Sequence, residues 1–267
     1  WSNTTSGEVL VCSDATAGSN IWVNVGGGSV DVWQFQGTLH GYSAGGYGAG
    51  APSYTRTAAI QKFNFSNTDL VSDIGNLSTA NGSLIGHQDD THGYTSGGHV
   101  VSILNVDTID KFNFSGSFVL SDHGNLAAVK YGKLGFSSLT DGYSAGGMRG
   151  PVSNIIDKFS FASNTTATTH GVLALALEQG APTQTLTYAY TMGGLIGPVA
   201  QNIVQRFAFS SNSTATDVAD LPAVRRNNAG FSSAVAGYAA GGGPASASVD
   251  KMLFATDTSV SGIGDLA

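Results

Sequence analysis

One hexapeptide recurs five times and constrains what the chain can fold into. It reads GYSAGG at 41, GYTSGG at 93, GYSAGG at 142, AYTMGG at 189 and GYAAGG at 237, so that Tyr42, Tyr94, Tyr143, Tyr190 and Tyr238 stand 52, 49, 47 and 48 residues apart. A second phrase keeps step with it: IQKFNF at 60, IDKFNF at 109, IDKFSF at 156, IVQRFAF at 203 and VDKMLF at 249. A third follows in the same order: DIGNL at 73, DHGNL at 122, THGVL at 169, DVADL at 217 and GIGDL at 262. A fixed period of this kind means that each unit is one supersecondary element, buried against like neighbours.

The units read as short strands bounded by glycine and polar turns, with no helical period sustained over ten residues. In IDKFNF the alternation puts Asp110, Phe112 and Phe114 on one face and Ile109, Lys111 and Asn113 on the other. The paired aromatics suit packing between neighbouring sheets, and the diglycine suits a tight turn with close backbone approach. Runs such as LGFSSLTDG at 134 and GFSSAVAG at 230 precede the hexamers and bring the count to four strands per unit. Four antiparallel strands per 45–50 residues predict an all-β chain, a β-propeller of four-stranded blades.

No Gly-His to Trp-Asp pairing of the WD40 kind is present. The stretch DLPAVRRNNAGFSSAVAGYAAGG, 220–242, resembles the kelch repeat, with a Leu-Pro, an arginine, a small-residue strand, an aromatic and the diglycine. The units depart from kelch in having no tryptophan at the matching place in the fourth strand. With their GYTSGG and IDKFxF phrases they are more similar to the degenerate kelch-like repeats of virion and surface proteins of marine bacteriophages and bacteria. That resemblance implies a binding face formed by the loops after the diglycines and by the blade junctions. It nominates Tyr47, Tyr54, Arg56, Met148 and Arg149, with Arg225, Arg226 and Asn227 from a junction. Aromatics and arginines dominate interfaces and stack on sugar rings.

The landmarks divide the 267 residues into one propeller domain with blades at 32–77, 84–126, 134–174, 182–221 and 230–266, and a partial blade at 8–25 made of EVLVCS and IWVNV. A six-bladed ring is the expected closure, with five blades plus an amino-terminal extension as the alternative. Joining strands from different parts of a chain is a common way to remove exposed sheet edges.

Composition narrows the partners. Thirty-seven glycines and 11% charged residues leave solubility to Ser, Thr and Asn, which suits an extracellular or virion surface. The formal charge of −7, with eleven scattered Lys and Arg, offers no basic stripe for nucleic acid. The apolar run GVLALAL at 171 is far short of the roughly 20 residues of a membrane helix, so no membrane insertion is expected. The single cysteine, Cys12, forms no intrachain disulfide and reads as a buried, inert thiol.

Gly41 to Gly45 matches the Gly-Xaa-Ser-Xaa-Gly pattern of hydrolases, but Ser43 is replaced by Thr95, Ser144, Thr191 and Ala239 in the other units, so it reads as a repeat landmark. The polar cluster GHQDDTHGYTSGGH holds His87, Asp89, Asp90, His92 and His99; metal binding is weighed there, and turn chemistry is preferred for His92. His123 and His170 share a position with Ile74, Val218 and Ile263, which favours packed histidines over catalytic bases. Lys62, Lys111, Lys158, Arg206 and Lys251 read as edge-facing cations whose stems cover apolar surface, in some units beside Asp110, Asp157 or Asp250. Sequons at Asn64 and Asn113 are one repeated strand position. No cofactor is expected. The chain therefore reads as a non-enzymatic binding or structural module that contacts other virion or surface proteins or host glycans and can form homo-oligomers. A propeller enzyme and an intracellular peptide-binding adaptor are the alternatives.

Overall fold

The computed structural model describes residues 9–14, 21–26, 40–48, 55–65, 71–100, 104–148, 150–244 and 246–267. The chain divides into two compact units, Trp1–Gln34 and Phe35–Ala267. In the first, β1 (Val9–Asp14) and β2 (Ile21–Gly26) form an antiparallel two-stranded sheet with Cys12 opposite Trp22.

The second unit is a propeller arrangement of five blades. Blade 1 shows β3 (His40–Ala44), β4 (Ala59–Asn64) and β5 (Ser72–Asn76). Its expected first strand, in the run from 32, lies outside the described residues. Blade 2 begins with β6 (Ile85–Gln88) and β7 (His92–Ser96). The chain then makes a separate ribbon from β8 (His99–Val100) and β9 (Leu104–Asn105) before completing the blade with β10 (Thr108–Asn113) and β11 (Leu120–Asn125). Blade 3 is β12 (Leu134–Ser137), β13 (Asp141–Ala145), β14 (Ile155–Ser160) and β15 (Thr168–Val172). Blade 4 is β16 (Ala181–Gln184), β17 (Tyr188–Ile196), β18 (Val199–Ala208) and β19 (Thr216–Arg225). Blade 5 is β20 (Ala229–Ser232), β21 (Ala236–Ala240), β22 (Ser248–Leu253) and β23 (Val260–Asp265). All pairings within the blades are antiparallel, and no helix is present among the described residues. The blade count is five, as in the alternative named above and not the preferred six, because β1 and β2 pair only with each other in a sheet of their own.

The same local chemistry builds each blade. The turn joining the first two strands is closed by a side-chain oxygen at one repeat position. Asp89 accepts from the amides of Thr91 and His92, Ser138 from Thr140 and Asp141, Thr185 from Thr187 and Tyr188, and Ser233 from Val235 and Ala236. In blades 1 to 3 the glycine before the tyrosine faces a ring across the ladder: a Cβ on Gly41, Gly93 or Gly142 would lie 2.2–2.3 Å from Phe63, Phe112 or Phe159. A register shift at the Gln61, Asp110, Asp157, Gln205 and Asp250 position recurs in all five blades.

The core lies between blades, in four clusters, and the predicted alternation of the IDKFNF phrase explains it. From blade 2, Tyr94, Ile109 and Leu126 pack on Phe159, Phe161 and Ala167 of blade 3; from blade 3, Tyr143, Ile156 and Leu173 pack on Phe207, Phe209 and Ala215 of blade 4. One face of each sheet is thus a tyrosine face and the other a phenylalanine face. Rings stack across each junction with centroids 4.7 Å apart for Tyr42 and Phe114, 4.6 Å for Tyr94 and Phe161, 4.7 Å for Tyr143 and Phe209, and 5.2 Å for Tyr190 and Phe254.

The cations were expected at sheet edges beside their neighbouring aspartates; the structure corrects both points. They stand on the third strand, inside the sheet, each directly opposite the repeat tyrosine. The Lys62, Lys111 and Lys158 ammonium groups lie 5.8, 5.4 and 5.9 Å from the ring centroids of Tyr42, Tyr94 and Tyr143. Alternation sends the neighbouring aspartates to the other face, where the preceding blade junction supplies the partner. Lys130 pairs with Asp157 at 3.6 Å, and Arg225 pairs with Asp250 and donates to the Ser248 carbonyl at 2.7 Å.

Candidate binding rim

The diglycines set up one edge of the blades. Both residues have positive φ in every unit, from Gly45 at 62° and Gly46 at 109° to Gly241 at 63° and Gly242 at 101°. A Cβ on Gly146 would lie 2.1 Å from the Leu177 carbonyl oxygen, so only glycine lets the turn meet the junction backbone. Beyond the diglycine the chain turns to the junction that precedes its own blade and pairs with it through two backbone hydrogen bonds at each of four places: Gly82 with His99, Tyr131 with Met148, Glu178 with Leu195, and Arg226 with Gly243. The next junction residues, Ser83, Gly132, Gln179 and Asn227, are all left-handed, with φ of 53°, 65°, 58° and 52°. The Asn227 amide donates to the Gln179 carbonyl at 2.7 Å and the Gln179 amide to that of Gly132 at 2.9 Å, so the junctions are tied to one another.

On this frame sits a run of unlike side chains. The Arg56 guanidinium lies 5.6 Å from the Tyr47 ring centroid, with the two backbones bridged. The Tyr47 hydroxyl is 2.6 Å from Nε2 of His99, and the His99 ring meets Tyr131 edge-on with centroids 5.5 Å apart. Burial, then the positive charge of Arg56, lowers the His99 pKa, which favours the neutral imidazole. Burial, then the nearby Glu178 carboxylate, raises the Tyr131 hydroxyl. Glu178 is itself raised by burial, and its Oε2 has no hydrogen-bond partner. The rim thus offers aromatic faces, hydroxyls, an imidazole and, at its two ends, arginines, while the Glu178 carboxylate is buried.

Of the nominated residues, Tyr47, Arg56, Met148, Arg226 and Asn227 stand on this rim. Tyr54 and Arg149 lie outside the described residues. Arg225 is removed from the set: its side chain is buried and committed to Asp250 and Ser248, because the residue after it is the one that faces outward. His99, Tyr131 and Glu178 were not nominated. They occupy two repeat columns, Gly82/Tyr131/Glu178/Arg226 and Tyr47/His99/Met148/Leu195/Gly243, in which no two blades agree, and that disagreement was the available signal.

The weighed chemistry is dispersed. His87 is buried, with Nδ1 3.0 Å from the Phe136 carbonyl and Nε2 2.8 Å from the Ser96 hydroxyl, whereas Asp89 and His92 belong to a turn and His99 to the rim. Among the described residues no three His, Cys, Asp or Glu side chains converge as a metal set. His123 and His170 are packed histidines, each with Nε2 on a carbonyl of the next blade, Ser160 at 2.8 Å and Ala208 at 2.9 Å. Ser43 lies within β3 and is followed by the positive-φ diglycine turn, not by a helix. No protein-family model matches the chain and no curated protein matches it. What sequence and structure together establish is a β-propeller arrangement whose diglycine edge carries the side chains that differ between blades.

Proposed function

We propose that the chain is a non-enzymatic binding module that presents the diglycine rim to a macromolecular surface, either a glycan or a neighbouring protein subunit. One observation carries this reading: the recurring side chains are consumed in blade-to-blade contacts, while those that vary, from Arg56 and Tyr47 through His99 and Tyr131 to Glu178 and Arg226, gather on one edge. Aromatic faces beside guanidinium groups are the chemistry with which proteins hold sugar rings and peptide surfaces. The repeat phrases, the low charge and the Ser/Thr/Asn-rich surface support a place on a virion or other extracellular surface, of the fibre, tail or capsid-decoration type.

A glycan array and a surface-display interaction screen, each run with the native protein and with Tyr131→Ala and Arg226→Ala, test the proposal. The expected result is a ligand on one of the two platforms that both variants weaken at least tenfold, with unchanged melting. A ligand bound equally well by both variants would remove the rim from the function.

A further inference from the structure

The four blade junctions described above define one interface with two unlike halves, and the two end blades each carry an unused half. In blades 1 to 4 the tyrosine face is covered by the phenylalanine face of the following blade. The leucine closing each unit is there at most 5% exposed: Leu77 5%, Leu126 1%, Leu173 0% and Leu221 2%. Its counterpart in blade 5, Leu266, is 52% exposed. Phe231 of blade 5 is 48% exposed where Phe136 of blade 3 is 2%, and Ile263 is 54% exposed where His170 is 3%. With no following phenylalanine to meet, Tyr238 stacks on Phe231 of its own blade, centroids 5.0 Å apart. Blade 1 carries the converse. Phe63 and Phe65 are 38% and 52% exposed, whereas Phe159 and Phe161, at the same positions in blade 3, are 2% and 6% exposed beneath Tyr94.

Terminal units of repeat proteins ordinarily present a polar outer face, and an apolar one of this breadth marks an interaction site. Among the described residues neither end has the polar cap. The surface that fits the Tyr238 face is a Phe-Xaa-Phe third strand with an uncovered ring pair, and blade 1 holds one in Phe63 and Phe65. We propose that blade 5 of one copy docks on blade 1 of a second copy, head to tail, placing Tyr238 against Phe65 as Tyr143 is placed against Phe209. The contact continues an interface already present four times in the protein. It is heterologous, since donor and acceptor halves are different surfaces, so each associated copy keeps one half open unless the assembly closes.

Light scattering and native mass spectrometry on Leu266→Asp, which spoils the tyrosine face, and Phe65→Asp, which spoils the phenylalanine face, test it. Native protein is expected to associate as concentration rises. Each variant alone is expected to be monomeric, and an equimolar mixture to form one-to-one dimers and stop there, because only one intact pair of halves remains. Val199→Asp, at an exposed position on neither face, should associate like native protein. Native protein that stays monomeric at all concentrations overturns the proposal. If the two variants then also melt well below native protein, the faces are covered within one polypeptide; if they melt unchanged, the faces stay bare. A mixture of variants that remains monomeric while native protein associates overturns it as well.

Discussion

Tyr143 lies across a blade junction from Phe209, its ring centroid 4.7 Å away and its hydroxyl donating to the Phe209 carbonyl at 3.2 Å. The same pairing joins Tyr42 to Phe114, so one side chain supplies both the apolar face and the polar tether between sheets, whereas Tyr94 stacks on Phe161 and gives its hydroxyl proton to Asp89. Removing the tether alone, in Tyr143→Phe, is expected to lower unfolding free energy by about 1 kcal/mol, and removing the ring, in Tyr143→Ala, by about 3–5 kcal/mol. Urea denaturation of the two variants separates the contributions.

Burial raises the Tyr143 and Tyr190 hydroxyls to about 12. In the unfolded chain they ionise near 10, so above that pH the unfolded state loses protons first. The stability they contribute is complete below pH 10 and is lost as pH rises towards 12. Tyr143→Phe should flatten part of that alkaline limb in melting curves recorded between pH 9 and 12.

His87 has the opposite sign. Burial, partly opposed by its bond to the Phe136 carbonyl, lowers its pKa from 6.5 to about 4. Its stabilising contribution is therefore present above pH 6.5 and lost as pH falls to 4, on the order of 3 kcal/mol over that interval. His87→Phe, which copies Phe136 at the same position of blade 3, should remove this acid dependence while retaining the fold; the slope of stability against pH is the readout.

The buried partners covary along the chain. The junction position reads Asn81, Lys130, Leu177 and Arg225, and the third-strand position that follows reads Asp110, Asp157, Gln205 and Asp250. A cation stands opposite Asp157 and Asp250. Leu177 accompanies Gln205, which bonds the Leu175 backbone through both its amide atoms, and Asp110 is held by the Ser78 hydroxyl and amide. Arg225→Leu should cost about 3–5 kcal/mol, because Asp250 is left buried and unpaired. Adding Asp250→Gln, which installs the blade 4 arrangement, should restore most of it. A double-mutant cycle by chemical denaturation measures the coupling.

The glycines divide by what a methyl group would strike. Gly142→Ala meets the Phe159 ring, which can shift, as Ala189 opposite Phe207 already shows; a cost of about 1–3 kcal/mol is expected. Gly146→Ala meets a backbone carbonyl at φ +68°, where neither the neighbour nor the substituted residue yields easily. It should melt lower than Gly142→Ala in thermal scans.

Much of the scaffold was legible because its causes are local and repeated. The period set the blades, the alternation in IDKFNF assigned Ile109 and Phe112 to opposite faces, and the diglycines marked the turns at positive φ. The candidate rim was legible only in part. Tyr47 and Arg56 could be read from a divergent loop, but His99 and Tyr131 stand 32 residues apart in sequence (131 − 99) and join the rim only because successive blades bring their edges together. Arg225 and Arg226 look alike in sequence and part company in space, one turned inward to Asp250 and the other outward.

The carboxylates near the repeat tyrosines show the same division. Asp89 reaches Tyr94 from a turn, Asp141 reaches Lys158 from the start of a strand, and Asp257 reaches Arg206 and Tyr190 from the next blade, three positions that no alignment of the repeat equates. The sequence by itself determined the repeating sheet, since strand alternation, turn glycines and aromatic spacing act within a few residues. The tertiary structure decided which charges are paired and which side chains share the rim, because those distances depend on how one blade is set against the next.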